Sequence, residues 1–246
     1  EESGRSAAFF PTATLVLVFA LPCFLFVKDP EIRTASSVRV REAFKTLKET
    51  FLRARQYRSL FRFILIHFLV LDAVNTIIAF MSVYASKVIG FSGGQIMKFL
   101  ISSTVGAMIG SLVIGILVKH KGVIWSYWLV LGAWIVSLFL AAISQSETLF
   151  WVVGPIAGIG MGGVWVVSRA FIIELSPPEK VGEFFGLYGF AGKAASILGP
   201  MLWGAVVWAL NSTGTFKYRV AVMVLLGIVV VAAFLFRDLT RQMRHQ

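Results

Sequence analysis

The feature that most constrains this chain is the number and length of its apolar runs. Seven of them cover 7–28, 60–87, 95–118, 123–144, 148–174, 182–210 and 216–236. About 20 helical residues cross the hydrocarbon layer of a bilayer, so each run is read as a membrane-spanning helix. The runs are too long, and alternate too little, for the strands of a membrane barrel. Composition agrees: 58% of the residues are hydrophobic and 14% charged, against roughly 25% charged in soluble domains, which excludes a water-soluble globular enzyme. The expected fold class is all-α, a polytopic membrane helical bundle. The one cysteine, Cys23, allows no intrachain disulfide and no cysteine metal cluster, and the three histidines lack ligand spacing. Neither a metal nor a cofactor is expected.

Charge orients the bundle. The net charge is +11, which in a soluble chain would suggest nucleic acid. In a membrane chain it reflects basic cytoplasmic loops, and no nucleic-acid partner is expected. Ten Lys and Arg residues fall in 28–62. Placing that segment inside also puts Lys119, Lys121, Lys180, Arg237, Arg241 and Arg244 inside, and leaves Arg5, Lys87, Lys217 and Arg219 outside. The carboxy terminus is therefore expected in the cytoplasm. Within the basic connector, Val40, Phe44, Leu47 and Phe51 recur at helical spacing. Two readings stand for this segment: an amphipathic helix on the inner membrane surface, drawn to lipid headgroups, or a solvated linker helix.

Polar groups inside the spans are the functional candidates. Asp72 lies near the centre of the second span, where a charge costs about 2.5–3.5 kcal/mol on insertion scales. Asp72, Asn75, Thr76, Ala79, Ser82 and Ser86 draw a small, polar stripe along an otherwise apolar helix. That stripe faces either a wet cavity or a hydrogen-bonded helix interface. Lys193, near the middle of the sixth span, and Arg169, beside Ser168 in the fifth, are expected to offset Asp72. Glu174 and Glu183, at the inner ends of the fifth and sixth spans, are candidate gate partners for Arg169; a permanent structural bridge is the plainer alternative for each pair. His67 reads as a hydrogen-bonded interface residue, and Lys98 as a side chain reaching up to the headgroups.

Small residues say how the helices meet. Ser103, Ala107, Ser111 and Gly115 recur every fourth residue, flanked by Gly106 and Gly110. Gly154, Gly158 and Gly162 repeat in the fifth span, and Ala191, Ala195 and Gly199 in the sixth. Such rows let backbones approach closely. Pro200, after Gly199, is expected to kink its helix.

The run GGVWVVSRAFIIELSPPEKVGEFFGLYGFAGKAASILGP (162–200) resembles the tenth-to-eleventh helix region of the autophagy-related, vacuolar-effluxer-like branch of the major facilitator superfamily and its bacterial relatives. LDAVNTIIAFMSVYAS (71–86) is similar to that branch's seventh helix. The resemblance implies two six-helix halves that alternate access around a central site. It makes 1–28 the last helix of an absent amino-terminal half, 29–59 the cytoplasmic connector and 60–246 the carboxy-terminal six-helix half. By the same resemblance, Asp72, Asn75 and Thr76 match cavity-lining positions, as do Ser168 and Arg169. Lys193 and the Gly199-Pro200 pair match the helix at the seam between halves. One departure stands out: the superfamily's glycine-spaced Asp-Arg loop signature, which recurs in weaker form between its eighth and ninth helices, corresponds here to 115–122, where Lys119 replaces the acid, so a gating bridge built on that acid is not expected.

These readings converge on a secondary transporter fragment rather than an enzyme, moving a small metabolite, amino acids among the candidates, with proton coupling through Asp72. Its expected partners are membrane lipids, the substrate and the absent half. The default setting is a bacterial cytoplasmic membrane. Two competing readings stand beside it: a lipid or lysophospholipid transporter of the same fold, and a membrane receptor or assembly subunit that transports nothing.

Overall fold

The computed structural model describes the backbone of residues 2–26 and 57–243, and the side chains of these residues apart from 2–8 and 23. The helix expected over Val40 to Phe51 and the basic residue Arg244 lie outside the described residues. The chain divides into two compact units, Glu1–Thr46 and Leu47–Gln246. In the first, α1 spans Glu2–Phe26 and carries Pro11 and Pro22 within the helix.

Among the described residues of the second unit, six long helices follow one another. They are α2 (Arg58–Tyr84, extended by a π turn over Ala85–Ile89), α3 (Gly93–Lys121), α4 (Val123–Ile143), α5 (Glu147–Leu175), α6 (Val181–Ala209) and α7 (Phe216–Met243). With α1, seven of the described helices are long and apolar enough to cross a membrane. The protein is a multi-pass helical membrane bundle. Most boundaries fall within a few residues of those read from hydropathy. The exception is α7, which continues from the expected end at 236 to Met243. The added stretch, Arg237 to Met243, is largely polar, but five of its seven residues are good helix formers, so the helix runs on after its apolar surface ends.

Local chemistry places the helix ends. Ser92 caps α3 by accepting the Gln95 backbone N–H, while its own N–H donates to Gln95 Oε1 at 2.8 Å. This reciprocal box satisfies two amides that the first turn leaves unpaired. Gln95 Nε2 then donates to Glu147 Oε2 at 2.8 Å, tying the starts of α3 and α5. Gly90 closes the π turn at φ 89°, a left-handed conformation that a β-carbon penalises.

The packing resolves which small rows meet. α5 lies against α3 and α4, α2 lies against α6 and α7, and α4 also meets α7. The α3–α5 seam is backbone on backbone: a β-carbon at Gly158 would strike the Ser103 carbonyl oxygen, and one at Gly162 the Ala107 carbonyl oxygen. From the other side, Gly106 fits against Pro155 and Gly110 against Ile159. Aromatic rings fill the interior at both ends. Phe63 stacks on Phe171 at 4.1 Å near the start of α2, and Phe99 on Phe150 at 4.9 Å near its end. There Tyr84 donates its hydroxyl to the Ala141 carbonyl at 2.7 Å and Arg219 donates to the Ala142 carbonyl at 2.8 Å.

Candidate functional site

Asp72 is the fifteenth residue of the 32-residue span Arg58–Ile89, near its centre, and is 5% exposed. It sits where α2 meets α6. Thr76 Oγ1 donates to the Asp72 carbonyl oxygen at 2.6 Å, folding the threonine back on its own helix. Gly199 of α6 fits over this turn: a β-carbon there would collide with Thr76 Oγ1 and press on the Asp72 carbonyl and carboxyl oxygens. The Oδ1 atom of Asp72 is buried with no hydrogen-bond partner. A buried carboxyl oxygen without a hydrogen-bond partner is costly.

The expected cations do not supply the partner. Among the described residues no ion pair joins Asp72 to Lys193 or Arg169, and both basic residues are exposed. Lys193 precedes Gly199 by six residues, which places it about 9 Å along α6 and about 120° around it from the face touching Asp72. Sequence counting gives the depth of a residue in its span, but not the face it occupies. Ser168 is fully buried and shares a hydrogen bond of 2.9 Å with the Tyr188 hydroxyl, so it joins α5 to α6. Arg169, one residue on, turns to an exposed face. Glu174 and Glu183 are both exposed, Asn75 is half-buried, and Ala79, Ser82 and Ser86 continue the polar stripe along an open face of α2. The helix α6 runs unbroken through Pro200 to Ala209. Pro200 carries no amide for the Ser196 carbonyl one turn earlier.

A second polar group collects around His67, which is 1% exposed. Its Nδ1 lies 3.2 Å from the Tyr127 hydroxyl, and its ring stacks on Tyr188 at 5.0 Å. His67, Tyr127, Ser168 and Tyr188 thus connect α2, α4, α5 and α6 in one buried layer, with His67 Nε2 left unpaired. Hydropathy did not single out the two tyrosines, because each sits in an apolar run; their hydroxyls inside spans were the available signal.

On a different face of α2, a cavity of about 220 Å³ opens towards α3, α4 and α5. Ile77, Met81, Phe99, Trp134, Ala157 and Met161 form most of its wall. The Ser103 and Thr104 hydroxyls at its edge donate to the Phe99 and Leu100 carbonyls of their own helix, at 3.0 and 2.9 Å. The lining therefore behaves as apolar. Among the described residues no three His, Cys, Asp or Glu side chains gather as metal ligands do.

The profile of vacuole effluxer Atg22-like proteins matches residues 2–246. An uncharacterised MFS-type transporter, YxiO of Bacillus subtilis, is 28% identical over 237 residues, covering 94% of this chain and 54% of its own length. Autophagy-related protein 22 of Yarrowia lipolytica is 28% identical over 92% of this chain and 43% of its own. A proton-coupled antiporter flippase, LtaA of Staphylococcus saprophyticus, is 20% identical over 63% of this chain and 40% of its own. The chain spans about half the length of the curated relatives it matches. The match runs over nearly every residue of this bundle of long apolar helices: the chain belongs to the vacuole effluxer Atg22-like family.

Proposed function

We propose that this chain is the carboxy-terminal half of a secondary transporter that moves a small amphiphilic metabolite, amino acids among the candidates, by alternating access. The observation that carries the reading is the unpartnered Asp72 oxygen, held at midspan in the contact between α2 and α6. Packed against Gly199, the Asp72 carboxyl has surroundings that change whenever α6 moves relative to α2. Sliding α6 away from α2 would open that carboxyl to water, the kind of difference between two states that coupling to a proton gradient requires. Transport needs no covalent chemistry, only a group whose interactions differ between the two states. The apolar cavity beside α2 supports an amphiphilic substrate, polar at one end and apolar at the other.

In this reading 1–28 is the last helix of the first half, 29–59 the connector and 60–246 the second half, with the first half as partner. The carboxy terminus lies in the cytoplasm and the membrane is a bacterial cytoplasmic one. Asn75, Thr76, Ser168 and Arg169 line the route, Lys193 meets the facing half, Glu174 and Glu183 form the inner gate, and Gly199 with Pro200 form the pivot. The test is transport by the protein as its gene encodes it, reconstituted in proteoliposomes. Asp72→Asn is expected to abolish the dependence of uptake on a proton gradient. Unchanged dependence removes Asp72 from the coupling role.

A second reading, movement of a lipid-like molecule, is favoured by the apolar wall of the same cavity. The same proteoliposomes separate the two: competition by free amino acids supports the first reading, and competition only by lysophospholipid supports the second.

A further inference from the structure

We propose that the groove between the start of α2 and the end of α7 seats the headgroup of a phospholipid that carries both a phosphate and a primary ammonium. Arg62, Leu65 and Ile66 lie on one face of α2, at helical spacings of three and four. Leu235, Asp238, Leu239 and Gln242 lie on one face of α7 at the same spacings. Together they enclose about 280 Å³. Ile66 and Leu239 are buried at its base, whereas Leu65 and Leu235 are exposed apolar walls. The charged rim belongs to the level at which the helices leave the apolar layer, since α7 turns polar from Arg237 onward.

The rim holds two opposite charges that do not neutralise each other. Arg62 Nη1 donates to Gln242 Oε1, which uses one of the five N–H groups of the guanidinium and steadies it across the groove. Asp238 makes no hydrogen bond or ion pair among the described residues, with Arg62 or any other group. A cation and an anion on one short groove, each left open, complement a ligand bearing an anion and a cation a few bonds apart. Phosphate meets the guanidinium of Arg62, and a primary ammonium donates to the carboxylate of Asp238. The exposed leucines lie where the ligand's acyl chains begin. A purely anionic headgroup would face Asp238 unfavourably, and a quaternary ammonium has no N–H to give it. The extra carboxylate of a serine headgroup would likewise be repelled by Asp238, so the occupant is phosphatidylethanolamine from the adjoining leaflet. This inference needs only that the helices span a membrane, and stands apart from the transport reading.

The test uses the protein as its gene encodes it, purified in detergent and mixed with phosphatidylethanolamine, phosphatidylcholine or phosphatidylglycerol, with retained lipid counted by native mass spectrometry. Wild type is expected to retain phosphatidylethanolamine about three- to fivefold better than either other lipid, the range of an exposed charge pair. Asp238→Asn should remove the preference over phosphatidylcholine, Asp238→Glu should restore it, and Arg62→Gln should weaken retention of all three. Equal retention of the three lipids by wild type overturns the proposal, as does preference for phosphatidylglycerol or an unchanged preference in Asp238→Asn. Both positions are exposed, and helical circular dichroism checks that each variant remains folded.

Discussion

Gly199 shows how much a single position decides here. Its missing side chain is what lets α6 lie over the Asp72–Thr76 turn, since a methyl group would occupy the place of Thr76 Oγ1. Gly199→Ala is expected to destabilise the bundle by about 1–3 kcal/mol through overpacking, read as a lower melting temperature in detergent. Because the nearest colliding atom is the threonine hydroxyl, ahead of the Asp72 carbonyl oxygen, Thr76→Ala should restore part of the loss in the double variant. Additive losses would place the strain elsewhere. Tyr188 offers a milder case. Tyr188→Phe leaves the ring stacked on His67 but takes away the hydroxyl that Ser168 bonds. A loss of about 1 kcal/mol in stability is expected, measured by the same melts. At this scale Asp72 was legible in sequence, because a carboxylate in an apolar run is rare enough to stand out. Its surroundings were not: Lys193 lies about 9 Å along α6 from Gly199 and on another face, and the neighbour of Asp72 is a glycine, which carries no signal of polarity.

Helices in lipid gain little from burying apolar surface against one another, so closeness of fit decides which pairs associate. The α3–α5 seam is built that way, with Gly158 and Gly162 seated on the carbonyls of Ser103 and Ala107. The small rows of the third and fifth spans were legible as rows; that they face each other came from the packing. The sixth span divides differently. Gly199 is enclosed, while Gly182, Gly186 and Gly189 face open space. Gly162→Ala is therefore expected to lower the melting temperature clearly, and Gly186→Ala to leave that of this chain nearly unchanged. A comparable loss from both would show that the seam does not govern the effect, since helix propensity alone favours alanine over glycine. Where an apolar surface ends while the helix continues, as over Arg237 to Met243, hydropathy underestimates the element, because it reports the environment of a helix and not its hydrogen bonds.

Six closely packed helices with short connections fix which loops share a side of the membrane. The connections near Gly90, Ser144 and Asn211 should lie on one side, and those near Gly122 and Pro177 on the other. Single cysteines placed at Asn211 and at His120, in a Cys23→Ser background, should label with an impermeant maleimide from opposite sides in oriented vesicles. Labelling of both from one side would overturn the order of spans. The most exposed helices of the six are α3 and α6, whose apolar outer faces have no neighbour within this unit. The sequence alone determined the helical class, the seven spans and the short turns between them, because an unpaired backbone amide is so costly in lipid that a long apolar run has one way to fold. The tertiary structure alone decided which faces meet, placing Gly199 rather than Lys193 on Asp72 and gathering His67, Tyr127, Ser168 and Tyr188 into one layer. The reason is geometric: rotation of a helix about its axis is set by the fit of its neighbours, and a linear sequence holds no direct record of that angle.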